Sequence, residues 1–237
     1  MLNIVTVFRF GHDEELGRTV ESLVEQRQVD FKVFFVLSNA KPQNISMLEA
    51  AINNKFRYHL TINQDTSLYN AMNIALSAIP AGWVYFLNGG DLFFSTESAS
   101  VLHNNKSALH PVLFSTIQSY DNDKYMRPPS PRSPAHQGFL VNIELVGDIT
   151  FCENLEIAAD HYWMQSLIAK YGCELKKLPI AEFSLGGISN YPSYASIKSR
   201  LASQGFTRAA LESLKFSLRK VVGDRLYYRI VLGHMSL

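Results

Sequence analysis

The sequence has few cysteines, no long apolar run and almost no net charge, and each of these absences excludes a class of protein. Cys152 and Cys173 are too few for a disulfide framework and lack the CxxC spacing of a zinc or redox site. The longest apolar runs, such as Trp83–Leu87, are far shorter than the roughly 18 to 20 residues that span a bilayer. With 22 Lys and Arg against 21 Asp and Glu, the chain is not expected to be a dedicated nucleic-acid-binding protein.

The amino terminus lacks the features of a secretory leader. Leu2–Phe8 reads as a short apolar strand, and the acids Asp13, Glu14 and Glu15 follow it, whereas a leader has a basic region before a longer apolar segment. We therefore expect the chain to stay in the cytoplasm, where reducing conditions suit a protein with two cysteines.

Apolar runs alternate with amphipathic stretches over the first half of the chain. Hydrophobic residues make up 47% of the sequence, which is enough for a sizeable core. In the first amphipathic stretch, Leu16, Val20 and Leu23 share the apolar helical face and Thr19 lies away from it. This order predicts an α/β fold with a mostly parallel sheet, whose sites lie at the carboxyl ends of strands. We predict strands at Leu2–Phe8, Phe31–Leu37, Tyr58–Ile62 and Trp83–Leu87, and helices at Glu14–Gln26, Met47–Asn54 and Leu68–Ile79.

The second half of the chain is less regular. Asp121–Pro134 holds four prolines within seven residues at its end, which predicts a surface loop near the pocket. Asp160–Tyr171 reads as a helix and Cys173–Leu178 as a strand. Phe183–Ser189 contains two adjacent glycines and is predicted to be a turn or loop.

The carboxyl-terminal segment differs in charge from the rest. Residues 198–237 contain eight Lys and Arg but two acids, and Leu211, Leu214, Leu218 and Val221 repeat at helical spacing. One interpretation is a terminal helix that docks on the core of the protein itself. The other is a basic amphipathic helix attracted to anionic lipid. Both predict a helical tail over residues 193–237.

One block of sequence resembles the centre of the family 2 glycosyltransferases, which have the GT-A fold. Asp65 is followed by Tyr69–Asn73 at a predicted helix start, and Asn88–Asp91 then ends a predicted strand. The family has an acid, a "YDAMN"-like helix start and a strand ending in "FLNxDD" or "FLNxGD" at this spacing. Gly90 stands in place of the first acid of the "DD" form.

Two further blocks support the same resemblance. His136–Gln137 and the later segment that ends in Ile157–Tyr162 look like the acceptor side of the family, and Gly186–Ser189 looks like its "GGxS" loop. The resemblance covers about residues 1–190. It is strongest to the branch that builds bacterial polysaccharides, such as colanic acid and capsule transferases.

The resemblance implies a GT-A domain over residues 1–192, with a Rossmann-like nucleotide-binding half and an acceptor-binding half. It implies Asp160 as the general base that takes the proton of the acceptor hydroxyl. Glu153 and Glu156 are reserve candidates. Asp91 is implied as a ligand of Mn²⁺ or Mg²⁺, because hard divalent cations bind carboxylates and stabilise a departing diphosphate.

Other positions that match the family complete the predicted site. A departure lies after the second strand, where relatives carry an acid and this chain has Leu37–Pro42 without one. The predicted contacts to the donor nucleotide-sugar are Ser38, Asn39, Asp65, Tyr69, Asn73, Asn88, Gly89 and Gly90. The predicted contacts to the acceptor or diphosphate are His136, Gln137, Gly186 and Gly187.

Each motif also has an ordinary structural interpretation. Gly89–Asp91 is compatible with a tight turn that only reverses the chain. Asp65 is a common residue type at a helix N-cap, and Asp160 is favourably placed at a helix start by the helix dipole. Gly186–Gly187 is compatible with a plain turn.

We expect an inverting, metal-dependent transferase that moves a sugar from a UDP- or GDP-linked donor to a saccharide or lipid-linked acceptor. Its expected place is the inner face of the cell membrane, in the biosynthesis of bacterial surface polysaccharide. One rival is a sugar nucleotidyltransferase, but Phe8–His12 lacks the glycine-rich phosphate loop of that class. The other rival is a catalytically silent scaffold or sugar-binding protein with the same fold.

Overall fold

Nine strands form one mixed sheet in the part of the chain that the structure describes. This computed structural model describes residues 1–11, 13–64, 67–120, 123–155, 157–185, 194, 197, 198, 201 and 206–232. The strands are β1 Leu2–Arg9, β2 Phe31–Ser38, β3 Arg57–Asn63, β4 Trp83–Phe86, β5 Leu92–Phe93, β6 Val112–Tyr120, β7 Asp123–Arg127, β8 Phe139–Asn142 and β9 Glu174–Ser184. The helices are α1 Asp13–Val24, α2 Pro42–Ile52, α3 Leu68–Ala78, α4 Ser98–Asn104, α5 Ile143–Val146, α6 Ala159–Tyr171, α7 Phe206–Val222 and α8 Asp224–Leu232, with a 3₁₀ turn at His136–Gly138.

The sheet has a parallel half and a mixed half. Its order is β3-β2-β1-β4-β8-β6-β9-β5, and β7 pairs with β6 outside this path. Strands β1 to β4 run parallel to one another, whereas β8 runs antiparallel to both β4 and β6. The beginning of β8 therefore lies beside the end of β4. The predicted α/β layout, a mostly parallel sheet flanked by helices, is confirmed.

Two apolar cores cover the two faces of the sheet. In β1, Ile4 packs toward α1, α2 and α4, whereas Val5 packs toward α3 and α6, as the two-residue period of a strand requires. Both are fully buried. Because helices cover both faces, the central strands are apolar on both sides rather than alternating. The carboxyl ends of β1, β2 and β4 remain as the open edge where loops can form a site.

Several predicted boundaries are corrected by the structure. Helix α2 begins at Pro42, not at Met47, because proline fits the first turn of a helix, where its missing N–H is not needed. Asp123–Arg127 lies within the predicted loop yet forms β7, since the prolines come after it. Strand β9 continues to Ser184 and so includes the start of the predicted loop at Phe183. Thr19, predicted to face away from the core, is fully buried.

Helices α7 and α8 form most of the described part of the predicted tail. Tyr227 and Tyr228 of α8 pack against Tyr125 of β7 and Tyr120 of β6. On α7 the buried side chains include Glu212 and Arg219, while the apolar stripe Leu211, Leu214, Leu218 and Val221 is exposed. The stripe therefore does not make the contact between the tail and the rest of the protein, which Tyr227 and Tyr228 of α8 make instead.

Among the described residues, no helix is long and apolar enough to cross a membrane.

Candidate active site

The segment after β4 is held tightly against β1. Leu87 and Gly89 donate backbone hydrogen bonds to Val5 and Val7, at 2.9 and 3.0 Å, and Thr6 Oγ1 donates to the Leu87 carbonyl at 2.8 Å. A Cβ atom at Gly89 would lie 2.1 Å from a ring carbon of Phe8, so this position has no room for a side chain. Parallel pairing of β1 and β4 thus fixes where the next residues, Gly90 and Asp91, can lie.

Asp91 follows in a turn and points into the protein rather than into bulk water. Gly90 has φ of 98°, a backbone conformation in which any residue with a side chain would be strained. The Asp91 side chain is 12% exposed. Its two carboxylate oxygens accept long hydrogen bonds from Gln137 Nε2, at 3.4 and 3.3 Å. The turn is therefore more than a chain reversal, because it buries an acid beside polar partners.

His136 lies between the two acids that the sequence analysis selected. Its Nδ1 is 2.9 Å from Asp160 Oδ2, and its Nε2 is 3.6 Å from Asp91 Oδ2. Nε2 also lies 3.3 Å from the side-chain amide of Asn88. The Tyr85 hydroxyl pins the 3₁₀ turn by donating to the Gln137 carbonyl at 2.6 Å. Antiparallel β8 carries this turn to the end of β4, which brings together residues almost 50 positions apart.

The charge of this cluster is set by mutual pairing. Burial alone would lower the pKa of His136, but its contacts with Asp160 and Asp91 outweigh burial and raise the pKa to about 9. Burial alone would raise the pKa of Asp160, but the hydrogen bond and charge of His136 hold it below its ordinary value. At neutral pH, His136 is therefore cationic and Asp160 anionic.

Asp160 is held at the first turn of α6 by three donors. His136 bonds Oδ2, while the His161 backbone N–H at 2.8 Å and the Tyr69 hydroxyl at 3.4 Å bond Oδ1. Burial, followed by the charge of Asp160, raises the pKa of Tyr69. The N-cap Ala158 has a left-handed φ of 72°, which is strained for alanine. The helix start is thus tightly specified around this carboxylate.

Asn73 connects α3 to the loop that precedes α6. Its Oδ1 accepts from the Phe151 N–H at 2.8 Å, and its Nδ2 donates to the Phe151 carbonyl at 3.0 Å and to Glu153 at 2.8 Å. Asn70 donates to the other oxygen of Glu153 at 2.9 Å. In this structure the amide of Asn73 is used for loop anchoring, and the exposed reserve candidate Glu153 takes part in the same anchor. Donor binding by Asn73 remains a prediction.

The other predicted residues fall in three places. Ser38 ends β2 and Asn39 follows it, at the same sheet edge as Asp91 but separated from β4 by β1. Asp65, Gly186 and Gly187 lie outside the described residues, as does the reserve candidate Glu156. The N-cap of α3 is Ser67, whose hydroxyl accepts the N–H of Asn70, so this cap position does not belong to Asp65.

Arg127, which no sequence motif identifies, lies close enough to Asp160 for their charges to interact. Burial lowers the pKa of this guanidinium, and Asp160 partly offsets that effect. Arg127 also donates to the carbonyl and hydroxyl of Ser133, at 2.7 and 3.0 Å, and so fastens the proline-rich loop. The surface loop predicted over Asp121–Pro134 includes this residue, which instead ends strand β7.

The cluster offers a divalent cation one carboxylate ligand and not a complete set of protein ligands. No group of three His, Cys, Asp or Glu side chains in the described ranges could hold a metal ion by itself. Asp91 and Asp160 contact different nitrogens of His136, so their carboxylates flank one imidazole instead of surrounding one point. A single carboxylate is nevertheless a usual protein contribution for Mg²⁺, whose remaining ligands are water and substrate phosphate. Asp91 suits that arrangement.

Comparison with known proteins gives structural likeness without sequence likeness. No family model matches the chain, and no curated protein matches its sequence. Solved structures do match over nearly all of it. S. aureus TarS 1–349 in complex with UDP has a TM-score of 0.58 at 14% identity, covering 97% of this chain and 74% of that one. The same protein with UDP-GlcNAc gives 0.58 at 15%, covering 97% and 75%.

A mannosyltransferase from Pyrobaculum calidifontis, PcManGT in complex with GDP-Man and Mn²⁺, has a TM-score of 0.64 at 10% identity. The match covers 90% of this chain and 64% of that one. At such low identity the likeness establishes the fold. The chain has the GT-A fold that these structures share.

Proposed function

We propose that this chain is an inverting glycosyltransferase that moves a sugar from a nucleotide diphosphate to a saccharide or lipid-linked acceptor. The observation that supports the proposal best is the row Asp91–His136–Asp160 at the carboxyl edge of a GT-A sheet. The sequence motifs predict different roles for the two acids. Asp160 is the predicted general base for the acceptor hydroxyl, and Asp91 is the predicted metal ligand beside the departing diphosphate. The structural relatives were solved with UDP, UDP-GlcNAc or GDP-Man, which favours a donor of that chemical class.

In the proposed reaction, the bond between the anomeric carbon and the donor phosphate breaks as the acceptor oxygen bonds to that carbon. Asp160 takes the acceptor proton, and the nucleoside diphosphate leaves with the electron pair of the broken bond. Cationic His136 keeps Asp160 ionised at neutral pH, which is the form that accepts a proton. The Tyr69 hydroxyl and the His161 N–H restrict the carboxylate to one orientation.

Asp91 is the proposed protein ligand of Mn²⁺ or Mg²⁺. When bound, such an ion would neutralise negative charge on the departing diphosphate. Gln137 donates to this carboxylate, and Asn88 lies beside His136. Gly90, which unlike Gly89 is not packed against Phe8, is the glycine proposed to let a donor approach the backbone. Contacts of Ser38, Asn39, Asp65, Gly186 and Gly187 with the donor or diphosphate complete the proposal.

Calorimetric titration with UDP and with GDP, each with and without Mn²⁺, tests this function. We expect one nucleotide to bind at least tenfold more tightly when Mn²⁺ is present, because its diphosphate completes the coordination that Asp91 begins. A silent scaffold would show no metal-dependent binding of either nucleotide. A nucleotidyltransferase would instead form a sugar nucleotide from a nucleoside triphosphate and a sugar 1-phosphate, and that assay is expected to be negative.

We also propose that the enzyme acts in bacterial surface polysaccharide biosynthesis at the inner face of the membrane, with its tail, over residues 193–237, in contact with anionic lipid. Helix α7 supports this proposal because it turns its apolar stripe outward: Leu214 and Val221 are 66% and 83% exposed. The segment over residues 206–232 contains six Lys and Arg against two acids. Exposed apolar side chains beside basic ones match the chemistry of an anionic bilayer surface.

Replacing Leu214 and Val221 together by Gln is expected to weaken binding to phosphatidylcholine–phosphatidylglycerol vesicles by about tenfold or more, since both side chains would lose apolar contact. Flotation with these vesicles measures the effect. Met47 and Leu109, which are 70% and 72% exposed outside the tail, supply the matched control as a Met47→Gln, Leu109→Gln pair. Equal vesicle binding by wild type and by a chain truncated after Arg208 would contradict the membrane proposal.

A further inference from the structure

Helix α1 and the chain just after it hold the backbone of residues 90–99 through three polar side chains, Thr19, Ser22 and Gln26, called here the polar ladder. Thr19 and Ser22 lie three positions apart on one face of α1, and Gln26 lies two residues past its end. The Ser22 hydroxyl accepts the N–H of Phe93 at 3.2 Å. Gln26 donates to the Ser95 carbonyl and accepts the N–H of Ala99, both at 2.9 Å. The segment that follows β4 is thus attached to α1 at successive points.

Thr19 is the rung of this ladder nearest to Asp91. Its hydroxyl accepts the N–H of Gly90 at 2.9 Å and donates to the carbonyl of Asp91 at 2.9 Å. The alternative acceptor on its own helix, the Glu15 carbonyl, is farther away at 3.2 Å. Thr19 is fully buried, so water does not replace the hydroxyl. One oxygen atom therefore fixes the polar backbone groups on both sides of the Gly90–Asp91 peptide.

This attachment matters because the Asp91 side chain is loosely held at its other end. Its hydrogen bonds from Gln137 are 3.3 and 3.4 Å long, and His136 is 3.6 Å away. Such distances are near the limit of hydrogen bonding. Gly90, with its positive φ, gives the backbone freedom to turn in other directions. The position of the carboxylate consequently depends on what holds its main chain.

We propose that Thr19 is a positioning residue, which sets the Asp91 carboxylate for the metal and diphosphate through the backbone of Gly90 and Asp91. The inference rests on the role proposed above for Asp91. It assigns to the first helix a function in the site at the end of the fourth strand. Displacing a ligand by a fraction of an ångström is enough to impair a preorganised site.

Thr19→Val tests the inference, because valine has nearly the same shape but no hydroxyl. We expect it to raise the Mn²⁺ concentration that half-saturates nucleotide binding by at least tenfold. Thr19→Ser keeps the hydroxyl and is expected to stay within twofold of wild type. Gln26→Ala is the matched control: it loses the bonds to Ser95 and Ala99, which lowers thermal stability, but is expected to leave Mn²⁺ half-saturation within twofold.

Two results would overturn the inference while leaving the proposed function intact. One is a folded Thr19→Val with wild-type Mn²⁺ half-saturation, and the other is an equal loss in Gln26→Ala, which would reveal a general packing effect. If Thr19→Val does not fold, Thr19→Cys, a small side chain with a weak donor, is expected to show the same direction of change. A wild-type protein without Mn²⁺-dependent nucleotide binding would remove the proposed function, and this inference with it.

Discussion

Asp160→Asn is expected to lower the rate of sugar transfer by about 10²- to 10⁴-fold, the usual contribution of a positioned acid or base. The amide keeps the size of the side chain but cannot take the acceptor proton. Nucleotide binding in the presence of Mn²⁺ should remain near wild type, because the amide oxygen can still accept from His136 Nδ1 and so keeps the imidazole in place beside Asp91. Release of UDP from UDP-GlcNAc or GDP from GDP-mannose, with saccharide and lipid acceptors supplied, measures the rate.

Glu153→Gln is the matched control for this prediction. Glu153 is an acid near the same helix, and its carboxylate is bonded by Asn70 and Asn73 rather than by His136. The glutamine variant is expected to retain transfer within severalfold. A folded Asp160→Asn enzyme with full activity, or an inactive Glu153→Gln enzyme beside it, would show that the base has been assigned to the wrong acid.

Asp91→Asn is expected to abolish the Mn²⁺-dependent part of nucleotide binding and to slow transfer by about 10²- to 10³-fold, as removal of one preorganised electrostatic group does elsewhere. The physical reason is that an amide oxygen carries no net charge, so it is a much weaker ligand for a hard divalent cation. Calorimetry with UDP and GDP across a Mn²⁺ series measures the first effect, and initial rates measure the second.

Asp30→Asn controls for the loss of an acid of the same size. Asp30 is exposed and forms an ion pair with Arg57. Asp30 lies just before β2 and Arg57 begins β3, so the pair is at the opposite edge of the sheet from the site. It should behave as wild type in both assays. Should Asp91→Asn fold and keep its Mn²⁺ response, the proposed metal ligand is wrong.

The parallel half of the fold is predictable because each element carries its own signal. The apolar run Phe31–Leu37 reads as a strand covered on both faces, and β2 follows these bounds to within one residue. Strands β5 and β7 have no such signal. Leu92–Phe93 is two residues long and depends on pairing with β9, about 90 residues later, which local pattern cannot reveal.

The site is predictable to the extent that its residues occur in local motifs. Asn88, Asp91, His136, Gln137 and Asp160 were selected separately and meet in one cluster. Thr19 was not selected, because a helical pattern classes a threonine beside Glu21 and Glu25 as solvent-facing. Its actual environment is created by a loop 71 and 72 residues away, so only the tertiary structure identifies its role.

The tail shows the limit of helical periodicity most directly. The stripe of Leu211, Leu214, Leu218 and Val221 is compatible with docking inward or facing outward. The structure selects the outward orientation because the inward face contains paired charges: Arg219 Nε is 2.7 Å from Asp224 Oδ1, and Glu212 is 3.9 Å from Lys215 Nζ. Buried charges are tolerated when they are paired, and periodicity alone carries no information on such pairing.

A single imidazole in contact with both acids makes the two halves of the pocket interdependent. Grafting residues 88–91 from a relative, in order to change which sugar nucleotide is accepted, would move Asn88 and Asp91 and thereby disturb His136. His136 would then hold Asp160 differently, and the proton-accepting end would change without having been mutated. Redesign of donor preference in this fold therefore has to retain the histidine contacts or rebuild both ends together.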